Sequence, residues 1–116
     1  MKETLKKLDK IEFHDIGVES IKVISDPEIL VVISFFLHIE ELNDYQKNEI
    51  AFKGITKLEI GELLLDADSD IELTSFDYKY NKEFDCELIF LLGTGKPSFE
   101  MKIKCENIEM KVLSSK

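Results

Sequence analysis

Arginine and tryptophan are absent from this 116-residue chain, cysteine and proline occur twice each, and glycine five times. Each shortage removes a class of protein. Without arginine there is no planar fork for bidentate capture of a phosphate or carboxylate. Two cysteines, Cys86 and Cys105, with no CxxC spacing, make neither a disulfide scaffold nor a zinc site. Long apolar runs are lacking as well. The longest, Ile29 to Leu37 broken only by Ser34, is far shorter than the ~20 residues of a membrane helix. Met1 to Lys10 holds no continuous apolar stretch, so neither a secretory signal nor a membrane partner is expected. Positive charge is scarce too: 15 Lys against 24 Asp plus Glu leave a net charge of −9, which argues against nucleic acid as a partner. These features predict a cytoplasmic protein.

What is present points to a single globular domain over residues 1–116. Hydrophobic residues at 44% supply one core without staples, and no repeat, linker or compositional break divides the chain. Leu5 and Leu8, three apart among Lys and Glu in residues 2–10, predict a short N-terminal helix. From Phe13 onward the period becomes two. Ile21 and Val23 share one strand face, and Asp26-Pro27 makes a turn. Glu28 to Ile39 is apolar on both faces and rich in β-branched and aromatic residues, which predicts a central strand. Glu40 to Asn48 is polar and reads as a loop. Ile50, Phe52, Leu58 and Ile60 predict one or two strands around Gly54. Leu73, Phe76, Tyr78 and Tyr80 predict another, with a bulge near Ser75.

The strongest pattern lies near the C-terminus. A hairpin of Glu83–Leu92 and Pro97–Cys105 sets Phe90 opposite Phe99, Leu88 opposite Met101, Cys86 opposite Ile103 and Phe84 opposite Cys105. The same register sets Glu87 against Lys102 and Asp85 against Lys104, so one alignment satisfies both faces. A face change between Cys105 and Ile108 predicts an extra residue near Glu106-Asn107. The expected fold class is all-β: an antiparallel β-sandwich or partly open barrel with a short N-terminal helix.

Signatures of chemistry are weak. Asp66, Asp68, Asp70 and Glu72 alternate as oxygen ligands for Ca²⁺ would, but Ile71 stands where an EF-hand loop needs glycine and Asp77 where it needs glutamate. An acidic solvated segment is the expected state, with no metal. His14-Asp15 lacks the further His and Asp of a metal-dependent phosphohydrolase, and Asp15 is read as a turn residue. His38, in phase with Leu30, Val32 and Phe36, reads as a histidine at the core edge. Gly93-Thr94-Gly95-Lys96 departs from a phosphate loop at Phe90 and Pro97 and reads as a hairpin turn. Cys86 and Cys105 fall on a diagonal of the hairpin, ~7–8 Å apart at Cα, at or beyond the ~7 Å limit for an unstrained disulfide, which predicts two buried thiols. No catalytic residue and no cofactor emerge.

Phe13-His14-Asp15 followed by Val18 and Ile21, then Phe52-Lys53-Gly54-Ile55 with Leu58 and Ile60, and finally Cys105-Glu106-Asn107-Ile108-Glu109-Met110, together resemble a loose group of small bacterial β-proteins. That group includes immunity proteins of polymorphic toxin systems. The resemblance implies an all-β fold without a catalytic constellation.

The function expected from these residues is non-catalytic binding of a basic partner protein through an acidic surface, with Asp66, Asp68, Asp70 and Glu72 as contact residues. The alternative is a small β-barrel holding an apolar ligand among its eight Phe and three Tyr. The two apolar faces of Ile29–Ile39 leave the oligomeric state open.

Overall fold

The computed structural model describes residues 2–13, 16–25, 27–61, 71–92 and 98–115. A short helix, α1 (Lys2–Asp9), precedes six strands: β1 (Ile16–Ile24), β2 (Leu30–Ile39), β3 (Asp44–Ile60), β4 (Ile71–Tyr80), β5 (Phe84–Leu92) and β6 (Ser98–Ser115). The chain is all-β, as the alternation predicts. All pairings are antiparallel, and the order β1-β2-β3-β6-β5-β4 returns to β1, so the sheet closes in a ring rather than splitting into two stacked sheets. The expected all-β antiparallel fold with a short N-terminal helix is present, its six strands forming one sheet that closes in a ring without being a regular barrel.

The β5–β6 hairpin has the register read from its side chains. Phe90 pairs with Phe99, Leu88 with Met101, Cys86 with Ile103 and Phe84 with Cys105, with Glu87 facing Lys102 and Asp85 facing Lys104. The first set points inward and is almost fully buried. Phe90 and Phe99 stack at 4.7 Å between centroids, an arrangement worth about 0.5–1.5 kcal/mol beyond the area it buries. The shift near Ser75 is present as well: β4 slips one residue against β5 between Leu73 and Ser75, which turns Leu73 and then Phe76 inward.

Two expectations need correction. Asp44–Asn48 is not loop but the start of β3, paired with Ile39 through Phe35 of β2. The turn occupies only Glu40–Asn43. It is closed by main-chain bonds from Leu42 to Ile39 and from Asn43 to Glu40, with Asn43 at φ +49°, a conformation that asparagine tolerates. Backbone pairing, not side-chain pattern, recruits this polar stretch into the sheet. Nor does β6 gain a residue at Glu106-Asn107. Lys53 pairs with Asn107 and Ile55 with Cys105, so both strands change faces together at Gly54, which sits at φ +64° beside Glu106. The ladder slips on either side of the kink instead, between Lys47 and Asn48 and between Ile55 and Lys57.

This kink lets β3 and β6 form one long ribbon shared by the whole ring. Beyond it, residues 98–105 of β6 pair with β5; before it, residues 44–52 of β3 pair with β2. On the side away from β3, residues 107–115 of β6 have no strand beside them among the described residues. There α1 packs across, burying Leu8 in the core with Leu5 and Ile11 against it. Tyr78 of β4 donates a hydrogen bond to Asp9, tying the end of α1 to the ring. Phe13 stacks on Phe76 at 4.9 Å and continues the seal.

Candidate functional site

The ring is weakest where β1 changes neighbours. From Ile24 back to Ser20, β1 pairs with Leu30–Ser34 of β2, and a bulge at Glu19 follows. After Val18 pairs with Phe35, Gly17 and Ile16 turn instead to Glu72 and Leu73 of β4. Residues 36–39 of β2 are consequently paired with β3 on one side only, among the described residues. A strand aims its N–H and C=O groups alternately at its two neighbours, so alternate residues of this stretch face an unfilled place in the sheet.

That place is a groove of about 630 Å³, bounded by Lys10–Glu12 and Ile16-Gly17 on one side and by Phe36–Ile39 on the other. The apolar part of its lining, Ile11, Ile16 and Leu37, is continuous with the core. Its rim is acidic among the described residues: Glu12, Glu40 and Glu41 are exposed, against Lys10. Lys47, opposite Phe36 across the ladder, is already neutralised by Glu19 at 2.6 Å. Tyr45 closes the far end, its ring edge-on to His38 at 5.3 Å. Among the described residues the groove thus joins an apolar floor to a negative rim.

His38 is therefore misplaced by the periodicity argument. It is exposed rather than set at the core edge, because it lies past Phe35, where the pairing of β2 with β1 ends among the described residues. Of the acidic residues expected to contact a partner, Asp66, Asp68 and Asp70 lie outside the described residues. Glu72 lies in β4 between Gly17 and Leu91, half-buried next to the point where β1 leaves β2. His14, Asp15 and the Gly93–Lys96 turn also lie outside the described residues.

Elsewhere among the described residues, the chemistry-bearing groups include two cysteines and a depression of mixed charge. Cys86 and Cys105 are buried and unbridged. Burial pushes both thiols up, Cys105 to about 11, so neither supplies a thiolate near neutral pH. No cluster of three or more His, Cys, Asp or Glu is placed to hold a metal ion among the described residues. On the outer face of β4–β6 a depression of about 320 Å³ mixes Asp77 and Glu87 with Lys79 and Lys102. Of its strands β5 is paired on both sides, whereas Asp77–Lys79 of β4 pair with β5 alone among the described residues. Inside the ring, Phe52, Phe76 and Phe84 lie 6.3–6.5 Å apart and Tyr78 stacks on Phe84 at 5.3 Å, so these aromatic side chains fill the core with one another. No helix among the described residues is long and apolar enough to cross a membrane.

Comparison of the chain with protein-family models, with curated proteins and with solved structures returned no match.

Proposed function

We propose that this protein is a non-catalytic binding protein of immunity type, which engages a basic partner protein through an acidic surface in the cytoplasm. The observation that carries the reading is the groove at residues 36–39. It combines an apolar floor with three exposed glutamates and one lysine, on a chain whose net charge is −9. The resemblance to immunity proteins supplies the biological form, a toxin domain as the basic partner. Two buried free thiols fit a reducing compartment. Charge of one sign around the groove accelerates encounter and selects partners, while the floor supplies the affinity.

The test is an unbiased peptide display screen on the immobilised protein, read at low and high salt. The reading expects enriched peptides rich in Lys and Arg, released by salt and weakened by Glu40→Gln with Glu41→Gln. Enrichment of acidic or uncharged peptides, or binding indifferent to salt, overturns it. Neutralising Asp66, Asp68, Asp70 and Glu72 together assigns their share. A slower association rate keeps that segment in the interface, and an unchanged rate removes it.

A further inference from the structure

We infer that the β2–β3 turn anchors the partner: Leu42 and Tyr45 pack against apolar groups of a basic segment, while Glu40, Glu41 and Asp44 meet the lysines or arginines around them. This rests on the basic-partner reading and adds to it a raised anchor at the mouth of the groove.

The two side chains are displayed rather than buried. Tyr45 is 58% exposed and Leu42 55%, more than any other large apolar side chain among the described residues. The local fold holds them there. Main-chain bonds from Leu42 to Ile39 and from Asn43 to Glu40 close the turn, and Asn43 reverses the chain at φ +49°. The Tyr45 N–H donates to the Asp44 carboxylate at 2.7 Å, and Tyr45 pairs with His38 across the ladder. Side chains set on such a frame lose little freedom on binding, and tyrosine is among the residues that most often carry interface energy.

Single exposed apolar residues are ordinary on a protein surface. Here two stand three positions apart inside a run of one charge. Residues 38–46 hold Glu40, Glu41 and Asp44 and no lysine, and all three carboxylates are exposed. The next lysine along β3, Lys47, is neutralised by Glu19 at 2.6 Å. An apolar centre within a charged rim is the anatomy of an energetic interface. The carboxylates select a cationic partner, and the face of an exposed tyrosine ring attracts the same cations. Tyr80 supplies the contrast: it too is an exposed tyrosine, but Lys79 and Lys82 flank it in the chain.

The experiment uses the full chain, labelled for NMR, and three synthetic octapeptides: alternating lysine and leucine, alternating glutamate and leucine, and alternating lysine and serine. The anchor expects the lysine–leucine peptide to shift the amides of residues 40–45 and to leave those of the β5–β6 hairpin in place. Each of the other two peptides should bind at least about tenfold more weakly, one lacking the charge and the other the apolar groups. Tyr45→Ala and Leu42→Ser should each weaken the lysine–leucine peptide by about tenfold or more, with Tyr80→Ala within about twofold of the parent. Both anchor positions are exposed, so thermal melts of these variants should match the parent. If Tyr45→Ala and Leu42→Ser bind the lysine–leucine peptide as the parent does, while Glu40→Gln with Glu41→Gln weakens it, the anchor is overturned and the basic-partner reading stands. Equal binding of the glutamate–leucine peptide overturns both. Failure of the lysine–leucine peptide to bind at millimolar concentration overturns the anchor, and the display screen then judges the basic-partner reading separately.

Discussion

The phenol of Tyr78 joins α1 to the ring through Asp9 and stacks on Phe84 below it. Burial first, and the Asp9 carboxylate second, push its pKa up to about 12 from 10. The folded chain thus holds this proton more tightly than the unfolded chain does. The stabilisation is complete below pH 10 and is lost as pH climbs towards 12. Tyr78→Phe is expected to lower stability by about 0.5–1.5 kcal/mol near neutral pH, the worth of one hydrogen bond. The same variant should flatten the alkaline fall in stability between pH 10 and 12, and urea unfolding across that range measures both. A variant as pH-sensitive as the parent would mean that another group carries the effect.

Among the elements, the β3–β6 ribbon turns on one residue. Gly54 sits at φ +64°, and an added Cβ would lie 3.0 Å from the Cβ of Glu106. Gly54→Ala is expected to cost at least about 1–2 kcal/mol from the left-handed backbone alone. Gly17→Ala, with its nearest contact at 3.9 Å, should stay within about 0.5 kcal/mol of neutral, so paired thermal melts separate the two. In α1, Leu8 is 2% exposed, and Leu8→Ala should cost about 2–5 kcal/mol by cavity formation, read from the urea midpoint.

The β5–β6 register was legible because each of its faces carried an independent pattern that agreed only in one alignment. The start of β3 was not, since Asp44–Asn48 enters the sheet through main-chain bonds that carry no side-chain signature. The kink was half legible: the face change at Cys105–Ile108 showed in the apolar spacing, but its cause sits in β3, on the other strand. The groove was illegible for a further reason. It exists because β1 abandons β2 at Val18, and which neighbour a strand chooses is a property of the closed sheet rather than of any local window. Glu40 and Glu41 are turn charges, as the sequence reads them, and only the fold sets them at the rim of the groove.

At the scale of the whole molecule, closure rests, among the described residues, on three pairs: Ile16–Leu73, Gly17–Glu72 and Val18–Ile71. Every other junction has a longer ladder. Native-state hydrogen exchange is expected to find the amides of this seam opening before those of β5 and β6, with a lower opening free energy. Uniform protection around the ring would contradict a weak seam.

The long ribbon also dictates when this protein can fold. Translation delivers β3 well before β6, at roughly 5–20 residues per second, so Ile50 and Phe52 emerge with β2 already made and β6 still to come. Nascent chains therefore spend seconds with one edge of a greasy ribbon bare, far longer than collapse takes. A product that stops ahead of Ser98 lacks the strand that joins β3 to β5 and has no ring to close.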